Sequence, residues 1–155
     1  MFDDRIEKAV ENFKKGYNCS QSVVAAFADL YGIDEQLAVR MAASFGGGIG
    51  RMRQTCGAAC GMFLLAGLGT GATDPADREG KGFNYATVQE LGKKFEEING
   101  SMICAELLGL KPKAATPPTP EARTAEYYKK RPCSKMVETA ATIFAEFLTE
   151  RQIAK

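Results

Sequence analysis

Four glycines within five residues, Gly46-Gly47-Gly48-Ile49-Gly50, interrupt a chain whose apolar residues otherwise recur at helical spacing. Such a run is poor helix, because each glycine costs about 1 kcal/mol against alanine there. It reads as a loop that turns sharply or lets its backbone approach something closely. On either side the pattern is helical. Asp3 to Lys15 carries Ile6, Val10 and Phe13 on one face, and Gly16 stops it. Cys19 to Tyr31 follows, stopped by Gly32. Asp34 can cap a helix carrying Leu37, Val39 and Met41.

Beyond the glycine loop, Thr55 is placed to cap a helix from Cys56 to about Gly69, rich in the small residues Gly57, Ala58, Ala59 and Gly61 and therefore suited to tight packing. Asp74-Pro75 reads as a fresh helix start. Asn84 to Ile98 is amphipathic through Tyr85, Val88, Leu91, Phe95 and Ile98. Ser101 can cap a short helix ending near Gly109. A proline-rich spacer, about 111–121, holds four of the six prolines and reads as a stiff surface crossing. Pro132 suits the first turn of a last helix, Cys133 to about Arg151, with Met136, Val137, Ala140, Ile143, Phe144 and Phe147 on its buried side. No strand alternation and no repeat is found. The expectation is a single all-α domain over 1–155, a compact bundle of five to seven helices.

Composition then excludes whole classes of chemistry. The chain of 155 residues has no histidine. That removes Ser-His and Cys-His nucleophile pairs, imidazole metal sites and His-ligated haem. Twenty basic against 19 acidic residues leave a net charge of +1, so nucleic acid is not an expected partner. The longest apolar stretch, Met62 to Leu68, is far short of the roughly 20 residues of a bilayer span. The acidic N-terminus does not look like a secretory signal, so a reducing, cytoplasmic location is expected.

Five cysteines remain to carry chemistry: Cys19, Cys56, Cys60, Cys104 and Cys133. Four of them, Cys19, Cys56, Cys104 and Cys133, fall at or within the first turn of an expected helix. There, free N–H groups and the helix dipole favour a thiolate. Arg51 and Arg53 precede Cys56, and Arg131 precedes Cys133. Cys60 lies one turn beyond Cys56 and reads as either a packing residue or an i+4 co-ligand. No C-x-x-C pair, zinc-ribbon or ferredoxin spacing occurs, so the tertiary fold must assemble any site. The glycine loop lacks the Gly-Lys-Ser/Thr of a P-loop, and Arg51 stands where a dinucleotide fingerprint needs its third glycine.

Phe45-Gly46-Gly47-Gly48-Ile49-Gly50-Arg51, running into Cys56-Gly57-Ala58-Ala59-Cys60-Gly61, resembles the C_GCAxxG_C_C family, whose members carry a redox-active label. Asn18-Cys19-Ser20-Gln21-Ser22-Val23 resembles its first cysteine motif. Gly100 to Gly109, around Cys104, resembles the third, and Arg131-Pro132-Cys133-Ser134-Lys135-Met136-Val137 the fourth. The resemblance implies Cys19, Cys56, Cys104 and Cys133 as the functional set, with Cys60 on a variable position. The family is also similar to the iron–sulfur part of split-Soret cytochromes, whose haem part has no counterpart here. Three readings follow. The four thiolates hold an iron–sulfur cluster, most simply [2Fe–2S], for electron transfer to a redox partner. Alternatively, the chain is a metal-free thiol–disulfide oxidoreductase or redox sensor with a low-pKa Cys56. In the third, the four thiolates bind zinc or another transition metal in a module linked to transport. An exposed face of the bundle leaves room for a homodimer.

Overall fold

The computed structural model describes residues 1–111 and 115–154; Pro112 of the expected spacer therefore lies outside the described residues. The helices are α1 (Asp3–Lys14), α2 (Cys19–Phe27), α3 (Glu35–Ala42), α4 (Gly57–Thr70), α5 (Arg78–Asn99), α6 (Cys104–Leu107), α7 (Ala125–Lys130) and α8 (Cys133–Ala154). Short 3₁₀ turns at Ala28–Tyr31 and Ala43–Phe45 extend α2 and α3. Among the described residues there is no strand, only an isolated antiparallel bridge between Thr55 and Ile103. The all-α expectation holds, and six of the eight helices have eight residues or more.

Helix α2 is the hub. Eight of its nine residues are buried, Gln21 being the exception, so it is apolar nearly all round and sits inside the bundle. It packs against α1, α3, α4 and α8, while α5 closes the far side against α4 and α8. The small residues of α4 permit the close approach expected of them. A Cβ on Gly61 would lie 3.0 Å from the Ser20 carbonyl oxygen of α2. Phe13, Phe27, Met62, Leu65, Leu91, Phe95, Ile143 and Phe144 fill the centre, all at most 2% exposed. Phe27 meets Phe144 edge to face at 5.1 Å, an arrangement that adds about 0.5–1.5 kcal/mol beyond area burial.

Several boundaries differ from expectation. Asp74-Pro75 does not open a helix, and Asn84 does not start a second one. A single helix of 22 residues begins after Asp77, whose carboxylate accepts the Gly80 N–H. It buries Thr87, Leu91 and Phe95 but leaves Tyr85 and Ile98 about 60% exposed. Helix α3 buries Ala38 and Ala42, while Leu37 and Met41 face outward. Neither Thr55 nor Ser101 is a cap. Cys56 itself is the N-cap residue of α4, and Ile103 that of α6. No helix among the described residues is long and apolar enough to cross a membrane.

Candidate functional site

Each of the four expected cysteines is placed by its own local device. Asn18 caps α2 through a reciprocal capping box: its side chain accepts the Gln21 N–H at 2.9 Å, and Gln21 accepts the Asn18 N–H at 3.1 Å. The same Asn18 amide donates to the Ala43 carbonyl, which ties the start of α2 to the end of α3. Cys19 is thereby held at the first position of α2. Pro132 precedes Cys133, and its carbonyl accepts the Met136 N–H, opening α8.

Cys56 and Cys104 are joined through the backbone. The Cys56 N–H donates to Met102 and the Cys104 N–H to Gln54, both at 2.6 Å, around the Thr55–Ile103 bridge. Behind them the glycine loop winds in a left-handed sense. Gly47, Gly48 and Gly50 have positive φ, but so do Ile49, Arg51 and Arg53, at 66°, 64° and 61°. Each such L-residue costs about 1–2 kcal/mol, and strain of this kind clusters at functional sites. The loop offsets part of it with internal bonds, among them Gly50 N–H to Ser44 at 2.7 Å and Gln54 N–H to Gly48 at 2.9 Å. Two glycines let it press against the cysteines. A Cβ on Gly48 would fall 2.5 Å from the Cys104 Cβ, and one on Gly57 would fall 2.8 Å from the Phe45 carbonyl and 3.3 Å from the Cys19 Cβ.

The result is one cavity of about 570 Å³, lined by Cys19, Cys56, Cys104 and Cys133 together. Cys60 is not part of its wall. Its thiol lies 3.8 Å from the Thr55 carbonyl, and burial pushes it up to about 11. The described cysteines form no disulfide. Among the described residues no group of three or more Cys, Asp or Glu is gathered as a site for one metal ion.

The electrostatics differ from the expectation of uniformly acidic thiols. Cys133 alone is lowered, to about 7, chiefly by a hydrogen bond from the Cys19 thiol and further by Arg131, Arg123 and Arg53. The same bond, together with burial, holds Cys19 protonated well above the ordinary thiol range. Burial pushes Cys56 up to about 12, although the Ala58 and Ala59 N–H groups at the start of α4 act the other way. Burial also raises Cys104, against the Arg53 guanidinium, which donates to its Sγ at 3.6 Å. The low-pKa thiol is therefore Cys133 and not Cys56. Helix starts favour thiolates only where desolvation does not outweigh them.

Arg51, Arg53 and Arg131 line the cavity as their positions suggested, and a fourth arginine joins them. Arg123 lies 4.3 Å over the Phe13 ring and donates to the Phe13 and Tyr17 carbonyls at 2.8 and 2.9 Å. Glu121 and Tyr127 also line it. Sequence reasoning missed Arg123, Glu121 and Tyr127. The only signal was a charged stretch following the prolines.

Fold and site define a class: an all-α protein whose separate helix starts converge four cysteines on one cationic cavity. The chain belongs to the family described as "Putative redox-active protein (C_GCAxxG_C_C)", whose model matches residues 17–147. Neither a curated protein nor a solved structure matches the chain.

Proposed function

We propose that the cavity is an electron-transfer centre in which Cys19, Cys56, Cys104 and Cys133 hold an iron–sulfur cluster, [2Fe–2S] in its simplest form. The observation that carries this reading is pairing. Cys19 and Cys133 lie close enough in the cavity wall for each thiol to shift the other's acidity, and Cys56 meets Cys104 across the 54–56 and 102–104 backbone bridge. A [2Fe–2S] centre takes four thiolates, two to each iron. A zinc site asks instead for all four sulfurs about 2.3 Å from one point. The donor set fits a cluster also in charge, since four arginines in the wall offset the negative charge that four thiolates bring. When bound, the cluster would supply one-electron chemistry. The chain's own residues fix the sulfurs at four helix starts, bury Cys19, Cys56 and Cys104 and half-bury Cys133, and tune the potential through Arg53 and the α4 amides. A redox partner protein would receive or deliver the electron.

Anaerobic reconstitution with ferrous iron and sulfide tests the reading. Wild type and Cys60→Ser should take up iron and sulfide in equal amounts and turn brown. Cys19→Ser, Cys56→Ser, Cys104→Ser and Cys133→Ser should each lose most of both. Full incorporation in any of those four would overturn the reading.

One observation favours a second reading. Cys19 and Cys133 are neighbours in the cavity wall, with Cys133 the more acidic partner. In a metal-free protein the Cys133 thiolate would attack one sulfur of a disulfide substrate, forming a mixed disulfide and releasing one thiolate. Cys19, its proton passing to the thiolate released in the first step, would then attack the Cys133 sulfur of that mixed disulfide. This releases the second thiolate and leaves a Cys19–Cys133 disulfide, two electrons having passed to the substrate.

A further inference from the structure

The strap after the prolines places a carboxylate in a cationic setting. Arg51 donates to the Pro117 carbonyl at 3.0 Å and pairs with Glu121 at 3.8 Å, while Arg131 pairs with the same Glu121 oxygen. The two guanidinium side chains are only 16% and 18% exposed, and the carboxylate they share is 46% exposed. Glu121 is the one acid among the residues lining the cavity, against four arginines. Arg53 is engaged with a thiol and Arg123 with two neutral carbonyls, and neither pairs with a carboxylate among the described residues. The half-buried Arg51 and Arg131 share the single Glu121 carboxylate, so the mouth of the cavity keeps a net positive charge that attracts an anion. Planar guanidinium groups are matched to carboxylates in particular. Arg131 also lowers both Cys133 and Cys104, so whatever sits on it lies beside the thiols.

We propose that Arg51 and Arg131 form an anion subsite at the mouth of the cysteine cavity, that Glu121 occupies it as an internal stand-in, and that it takes the carboxylate of a small organic anion which displaces the strap. Only the use of such a ligand, as an electron donor or acceptor next to the cysteines, rests on the redox reading. Its binding does not.

Isothermal titration of the full-length protein with isophthalate, a dicarboxylate that has no thiol and no redox chemistry, tests the subsite. Isophthalamide is the neutral control of the same shape. Removing the internal competitor should tighten apparent affinity in proportion to the free fraction of the site, so Glu121→Gln should bind isophthalate at least about fivefold more tightly than wild type. Isophthalamide should bind neither, and Arg131→Gln in the Glu121→Gln background should abolish the gain. Glu121→Ala supplies a second competitor-free variant, and circular dichroism verifies the helical fold of each. Equal affinity of wild type and both Glu121 variants, absence of binding to either variant, or equal binding of the diamide would each overturn the proposal. The probe does not react with cysteine, and titrating both metal-free and reconstituted protein separates the subsite from the cluster.

Discussion

The contact between Gly48 and Cys104 makes the most direct claim about how the loop shapes the site, and Gly48→Ala tests it. Gly48 has φ +73°, where an alanine is disfavoured by about 1–2 kcal/mol. The added Cβ would also fall 2.5 Å from the Cys104 Cβ and 2.8 Å from the Arg53 Cα and the Gln54 nitrogen. Two of these are backbone atoms of a hydrogen-bonded turn and cannot swing aside. Overpacking of this kind costs about 1–3 kcal/mol, so the total loss is about 2–5 kcal/mol. Gly50 is the internal control, with φ +58° but no atom nearer than 3.9 Å to its added Cβ. Gly50→Ala should therefore lose only the conformational part, about 1–2 kcal/mol. Urea denaturation of the two variants and wild type, at a common slope, measures the difference. Gly48→Ala should be the less stable by about 1–3 kcal/mol. Equal midpoints for the two alanine variants would refute the close packing of loop on cysteine.

Two further predictions concern the cavity wall. In the reduced, metal-free chain the Cys19–Cys133 pair should lose its first proton near pH 7, so alkylation at Cys133 should accelerate as pH rises through about 7. Cys19→Ala removes the thiol that stabilises the thiolate and should move that midpoint upward; an unchanged or lower midpoint in rate-against-pH profiles would contradict the assignment. Arg123→Ala breaks two charge-assisted bonds and a cation–π contact that pin the strap to Phe13 of α1 and to Tyr17 just beyond it. It should cost about 2–4 kcal/mol in urea melts, and a loss under about 1 kcal/mol would show that the strap is not held there.

How far the sequence revealed this molecule depends on the range of the forces involved. The helices were legible because apolar spacing is local, and Asn18-Cys19-Ser20-Gln21 encodes its own capping box. In sequence, helix α5 looks like two starts because Gly80 and Gly82 weaken local propensity and Asp74-Pro75 imitates an opening. Tertiary burial of Thr87, Leu91 and Phe95 supports one helix through both glycines. The four cysteines were legible as a set, both from their positions at helix starts and from the motif, and the structure brings all four to one cavity. Their acidities were not, because helix ends are a local property while desolvation is set by the whole fold. Cys56, at a helix start and near two arginines in sequence, is pushed up to about 12, mainly by burial. Arg123 was invisible for the same reason. Its partners, Phe13 and Tyr17, lie more than a hundred residues away. The left-handed Ile49, Arg51 and Arg53 were likewise hidden, since only the folded site holds them in that conformation.

The central claim is that the cavity carries electrons on a metal cluster held by four cysteines. An absorption spectrum with iron and sulfide analysis, on protein purified without oxygen, tests it most directly. The account predicts a brown protein containing iron and sulfide in equal amounts, bleached by dithionite and restored on reoxidation. A colourless, iron-free protein whose Cys19 and Cys133 thiols disappear and return together on oxidation and reduction would contradict it and establish the dithiol reading instead.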